Sequence, residues 1–302
     1  MKAWGRLLRL SLAPTAAADI AAGAVAGAGA WPWSHPARGG VLGLMLASLA
    51  VYHGGMALND WADREGDRPL RPDRPIPSGA VRPAAALCVG VALLLLGPLL
   101  ASSVSAPAAG VLLAVAATAF VYDVGPRGPT LGPLLLATCR AGNLTAGIVY
   151  GAGAAFEPIL LVPAAIYGAY VFAVSSLGRL EDAPESVLRS SRPAVQLAVA
   201  ALLLAASPAA ALVRRPIETW NLLAAFALAC FGAVGLNARA RRSGIWSDAE
   251  VTRATGLGLR RLLVFSAALA LATGGREGVV VAAAILAGYP ISYALRGVFP
   301  PS

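Results

Sequence analysis

The chain has 302 residues, 58% of them hydrophobic and only 13% charged, with a formal net charge of +9. Soluble domains carry about 25% charged residues, so a water-soluble globular protein is excluded as the starting point. Runs of about 20 apolar residues instead mark membrane helices. Lys2 is the sole lysine, and in a polytopic membrane protein the arginine excess reads as topology rather than as nucleic-acid binding.

In chain order, Lys2, Arg6 and Arg9 precede a small-residue run in which Ala28 and Ala30 form an A-x-A pattern. Asp19 interrupts that run and another apolar segment follows at once, so we expect a retained first helix rather than a cleaved signal. Ten apolar segments are expected near 13–31, 41–60, 82–101, 105–122, 131–151, 158–178, 193–212, 217–238, 257–273 and 277–296. Pro, Gly and charge clusters separate them. Gly23 and Gly27, and Gly147 and Gly151, have the spacing of closely packed helices. Cys88, Cys139 and Cys230 share no metal-ligand spacing and read as residues buried in helix packing. With the N-terminus inside, only Arg38, Arg214, Arg215 and Arg276 of the 24 basic residues fall outside, and Arg140 lies within a helix. This is the positive-inside pattern, with both termini cytoplasmic. A nine-span arrangement changes only the C-terminal end.

Charge concentrates in "NDWADREGDRPLRPDRPIPSG", residues 59–79, on the expected cytoplasmic side after the second helix. On a continuing helix Asn59, Asp63 and Asp67 share a face, with Asp60 three residues before Asp63. Carboxylates at that spacing repel unless a cation sits among them, and an all-oxygen set selects a hard ion such as Mg²⁺. Arg64, Arg68, Arg71 and Arg74 supply forked donors for phosphate oxygens. Together these residues describe a diphosphate site; an ordinary ion-paired loop explains the arginines but not the shared acidic face.

This stretch resembles the first signature of the UbiA-type intramembrane prenyltransferases, N-D-x-x-D-x-x-x-D followed by R-P-x-R-P and a glycine. Asn59, Asp60, Asp63 and Asp67 fall on the acidic positions, and Arg71, Pro72, Arg74, Pro75 and Gly79 on the second part. The resemblance implies one all-helical domain over 1–302, with nine or ten transmembrane helices around a central cavity open to the cytoplasmic side. It also implies Mg²⁺-dependent prenyl transfer from a prenyl diphosphate to a lipophilic or aromatic acceptor; the expected location is a bacterial inner membrane. Asp63 and Asp67 are then catalytic as well as metal-binding, and membrane lipid is a partner; neither nucleic acid nor a protein partner is expected.

The family's second motif, D-x-x-x-D after helix 6, is altered. "GRLEDAPES" keeps only Glu181-x-x-x-Glu185 around Asp182, with Arg179 a substrate-binding candidate. These glutamates are either a weakened second metal pair or a solvated ion-pair loop. The family's Tyr and basic residue after helix 4 correspond to Tyr122, then a catalytic candidate, and Arg127, although the usual spacing would place the basic residue at Pro126; Tyr122 reads equally as an interfacial aromatic anchor. Within the helices, Asp19 and Arg140 are costly charges that either pair or face a cavity. Arg140 and Asn143, three apart, are then substrate-facing candidates, and Asp19 could orient or deprotonate the acceptor. Tyr150, Tyr167, Tyr170 and Phe172 are candidate faces for an allylic cation. The rival readings are an isoprenoid or small-molecule transporter, a membrane phosphatidyltransferase, for which no D-G-x-x-A-R run is present, and a UbiA-like lipid-binding protein without catalysis.

Overall fold

The structure is a computed structural model that describes residues 2–29, 38–181, 183–213, 218–242 and 245–299, residues 38 and 39 by backbone only. Ala30, the Arg38 side chain, Asp182, Arg214 and Arg215 lie outside the described residues. The described elements are helical throughout. Helix α1 (Lys2–Leu7) leads through a 3-10 turn at Leu10–Leu12 into α2 (Ala13–Ala28) and α3 (Arg38–Ala62). The short α4 (Arg64–Leu70) precedes α5 (Pro83–Ser102), α6 (Ala106–Val124), α7 (Leu131–Ala152) and α8 (Val162–Gly178). Then come the one-turn α9 (Glu185–Leu188), α10 (Arg192–Ala206), α11 (Thr219–Ala240), α12 (Asp248–Arg260), α13 (Leu262–Thr273) and α14 (Gly275–Val298).

Each of the ten expected apolar segments falls on a helix over its described residues. Among the described residues nine runs are long and apolar enough to cross a membrane. The tenth, α7, is 22 residues long but carries Arg140 and Asn143, which lower its mean hydropathy. The expected 257–273 segment differs in its boundary. Its helix starts at Asp248 with a Ser247–Glu250 capping box, and breaks at Arg261 before α13. Twelve residues of α13 rise only about 18 Å, so α12 supplies the remaining length of that run.

Consecutive long helices pack as antiparallel neighbours, and α2 sits among α3, α7, α13 and α14. A helix apolar on every side belongs inside a bundle, and α2 is buried along most of its length. Its glycines explain the closest approach. A Cβ on Gly23 would lie 3.0 Å from the Gly147 Cα, and one on Gly147 would lie 3.0 Å from the Gly23 Cα. The two backbones therefore meet directly, as small-residue spacing permits. Outward faces keep large apolar side chains exposed, among them Leu99, Leu202, Phe231 and Trp220, where lipid would cover them. Cys88 and Cys230 are also exposed and Cys139 half-buried. The expectation that all three are buried is thus corrected for the first two: a helix apolar all round gives no sign of which face meets lipid.

Candidate active site

Helix α3 ends where the acidic residues begin. Its hydrogen-bond ladder still passes from the Asp63 amide to the Asn59 carbonyl and from the Asp67 amide to the Asp63 carbonyl. Asp63 is the hinge residue between α3 and α4, so Asn59, Asp60 and Asp67 turn inward together and are buried. The chain then doubles back. Ile76 anchors the return in an apolar cluster with Leu7, Ala57, Val81 and Ala86, and Gly79 closes the turn at a φ of 76°, a left-handed conformation that glycine adopts without cost. This return carries the Arg74 guanidinium onto Asp67 and within 4.0 Å of Asp60.

Each aspartate of the motif meets arginine. Asp63 takes both arms of Arg127, at 2.9 and 2.8 Å, and Arg71 reaches Asp67 at 3.5 Å. Arg9 donates from one nitrogen to Asn59 at 3.4 Å and Asp60 at 3.3 Å. Burial pulls the Arg9 pKa down, but the Asp60 charge and hydrogen bond, together with the nearby Tyr52 and Tyr122, outweigh it and the net shift is upward. Arg127 behaves alike: burial lowers its pKa, its hydrogen bond and charge contact with Asp63 raise it, and the net direction is up. Both remain cations. Arg127 also donates to the Asp123 carbonyl at 2.8 Å and stacks 4.9 Å from the Tyr122 ring centroid, while Arg179 donates to the Arg127 carbonyl at 3.0 Å.

Two residues at this mouth are absent from the sequence-derived set. Arg9 sits 50 residues before its partner Asn59 and holds a left-handed backbone, φ 49°. Asp123, next to Tyr122, is 4% exposed and hydrogen-bonds with Asn59. One oxygen of Asp60 and one of Asp123, both Oδ2, are buried without a hydrogen-bond partner. Unsatisfied buried carboxylate oxygens are costly, and hard oxygen donors of this kind fit Mg²⁺. Among the described residues, however, no three His, Cys, Asp or Glu side chains converge closely enough to hold a metal, because guanidinium groups lie between the carboxylates.

Below the mouth is a cavity of about 110 Å³. Tyr122 and Asp123 stand on its lining with Arg140 and Asn143, and Val51, Val115 and Leu136 make apolar wall. Tyr52 lines it too; sequence reasoning had no spacing to single it out. The four expected aromatic faces lie elsewhere. Tyr167 and Tyr170 are fully buried against Phe265, Phe172 lines an outward groove between α7, α8 and α10, and Tyr150 approaches Gly40.

Asp19 and Arg140 are each other's partners at 3.3 Å. Tyr167 donates to Asp19 Oδ1, as does Ser266 at 3.3 Å. Asn143 donates to Asp19 Oδ2 at 3.1 Å and accepts from Ser48 at 2.7 Å. This knot ties α2, α3, α7, α8 and α13 together, leaving Asp19 with no exposed surface.

The remaining candidates are not brought to the mouth's aspartates. Arg64 caps the Trp61 carbonyl at 2.7 Å, and Arg68 pairs with Glu65 at 3.2 Å on the surface. Glu185, the first residue of α9 behind Pro184, pairs with Arg189, with 70% of its side chain exposed. Glu181 lines a different cleft, beside α12 and α14.

With this geometry in view, a family model described as the UbiA prenyltransferase family matches residues 11–255. A digeranylgeranylglyceryl phosphate synthase of Methanothrix thermoacetophila is 30% identical over 153 residues, 48% of this chain and 54% of that protein. One from Ignicoccus hospitalis is 43% identical over 76 residues, 25% of each chain. The match thus spans about half the length of the first of these curated relatives. Among solved structures, a UbiA homologue from Archaeoglobus fulgidus bound to GPP and Mg²⁺ has a TM-score of 0.60 at 19% identity, covering 88% of this chain and 99% of its own. A UbiA homologue from Aeropyrum pernix has a TM-score of 0.61 at 18% identity, covering 86% of this chain and 97% of its own. The all-helical fold is therefore theirs, and the chain belongs to the UbiA prenyltransferase family of integral membrane proteins.

Proposed function

We propose that the chain transfers a prenyl group from a prenyl diphosphate to a lipophilic or aromatic acceptor, with Mg²⁺ as cofactor. The observation that carries this reading is the mouth itself: Asn59, Asp60, Asp63, Asp67 and Asp123 interleaved with Arg9, Arg74 and Arg127, directly above an apolar cavity. A diphosphate seated there takes over guanidinium donors that now rest on aspartates. With Arg127 and Arg74 on phosphate oxygens, the carboxylates of Asp63 and Asp67 would be the ones left to hold the cation. When bound, Mg²⁺ neutralises charge that builds on the leaving diphosphate as the allylic C–O bond loosens. Arg127 and Arg9 add fixed positive charge at that place. The Tyr122 and Tyr52 rings face the cavity, where a loosening allylic cation can rest against them. Val51, Val115 and Leu136 exclude the water that would capture it.

Of the sequence candidates, Asp63, Asp67 and Tyr122 keep roles at the reacting group. Asn59 and Asp60 hold the cation, and Arg71, Arg74, Arg127 and Arg179 bind or position the diphosphate. Arg140 and Asn143 form the far wall of the cavity. The mouth faces the cytoplasm of a bacterial inner membrane, with both termini on that side, in accord with the arginine distribution. The names of the matched relatives favour, among lipophilic acceptors, a lipid ether of glyceryl phosphate.

The test is turnover. Purified protein incubated with Mg²⁺, labelled prenyl diphosphates of graded length and membrane lipid extract should yield a labelled lipid and free diphosphate. Diphosphate release without a prenylated product, across all lengths and extracts, would count against transfer.

A further inference from the structure

A second cleft, of about 210 Å³, lies between α12 and α14. Arg260 and Arg296 stand on its lining with Glu181, Thr255 and Tyr293. Among the described residues neither arginine has an ion pair or a hydrogen bond, yet Arg296 lies close enough for its charge to act on Arg260. Two guanidinium groups facing one space repel, Glu181 on the same lining pairs with neither, and an anion between them removes that repulsion. The Thr255 Oγ1 is buried and has no hydrogen-bond partner, an available donor on the same wall. Neighbouring hydroxyls are engaged: Thr252 donates to the Asp248 carbonyl at 2.9 Å and Ser292 to the Ser11 carbonyl. Leu12 and Leu259 give the cleft an apolar floor.

We propose that this cleft holds the phosphate head of a membrane amphiphile. Arg260 and Arg296 take its oxygens with forked donors, Thr255 donates a third bond, and the chain follows the Leu12–Leu259 floor. Glu181, the acidic residue of the lining, has no ion pair within the site and accepts from a hydroxyl beside the phosphate. Glu181 thus belongs to a headgroup site rather than to the mouth. The proposal does not rest on the diphosphate reading, since the two sites share no residue.

The test uses the full chain in detergent and a fluorescent lysophosphatidic acid followed by anisotropy. Unlabelled lysophosphatidic acid should compete at least about tenfold better than a monoacylglycerol of the same chain length. Arg260→Gln and Arg296→Gln should each weaken binding about tenfold, and Thr255→Val about threefold, with unchanged thermal unfolding. Displacement by millimolar inorganic phosphate would assign the site to the free anion, and failure of displacement to the lipid head; both keep the phosphate assignment. Equal competition by the monoacylglycerol overturns the proposal, as does unchanged affinity in a folded double arginine variant. Should the arginine variants fail to fold, the headgroup comparison on the wild-type chain and Thr255→Val decide the matter.

Discussion

The acidic mouth and the Asp19 knot both set carboxylates against arginine, yet they differ in what is left over. In the knot both Asp19 oxygens are engaged, by Arg140, Tyr167, Asn143 and Ser266, and what is left over is a donor, the Arg140 Nε. At the mouth Asp60 and Asp123 each keep one buried oxygen without a partner. A buried carboxylate with both oxygens satisfied fixes how the helices around it sit together. An under-satisfied one carries a standing cost unless a ligand completes it. On the proposed function the knot is a folding device, and the mouth the place where ligand binding would recover stability.

The comparison breaks most sharply at Asp19. Asp19→Ala leaves Arg140 buried without its counter-charge, and should destabilise the protein by about 3–5 kcal/mol. Thermal unfolding in detergent and the yield of monodisperse protein read this directly; an unchanged midpoint would mean the knot does not hold the helices. At the mouth the effect should fall on binding instead. Asp63→Ala or Asp67→Ala should weaken Mg²⁺-dependent prenyl diphosphate binding at least about a hundredfold, about 2.7 kcal/mol, while the folded protein persists. Binding retained in both variants would remove these residues from the site.

Asp123→Asn sharpens the distinction between ligand and bystander. The amide keeps the hydrogen bond with Asn59 but loses the charge, and should cost about tenfold in Mg²⁺ affinity, with unfolding unaffected. The smallest effect is expected at the altered second motif. Glu185→Gln removes a solvated i,i+4 pair with Arg189, worth about 0–1 kcal/mol, and should leave turnover unchanged. Turnover falling as far as with Asp63→Ala would restore Glu185 to the metal site.

Much of the mouth was legible because its residues are close in sequence. Asn59 to Gly79 form one turn-and-return, so spacing alone groups their chemistry. Arg9 and Asp123 were not legible for the opposite reason. Each is a lone polar residue that reaches Asn59 across 50 or more residues of chain, and no local pattern links them. The Asp19–Arg140 contact was open as one of two readings, since a buried charge must either pair or face a cavity; Arg140 does both. The ten apolar segments were legible from length and hydropathy, but helix facing was not. Lipid and protein interior are both apolar, so Cys88 and Cys230 carry no periodic signal of their outward position. The break at Arg261 was similarly hidden, because Ser247 and Glu250 cap α12 in a stretch too polar to read as part of a span.

The most direct measurement of the central claim is calorimetric titration of a non-hydrolysable prenyl thiodiphosphate into the full chain, with Mg²⁺ and with EDTA. The Asp19→Asn variant, which keeps the shape of the knot but removes the counter-charge of Arg140, is compared as folded protein alongside Asp63→Ala. The account predicts binding that requires Mg²⁺, persists in folded Asp19→Asn and disappears in Asp63→Ala. Equal binding in EDTA, or loss in folded Asp19→Asn with retention in Asp63→Ala, would contradict it.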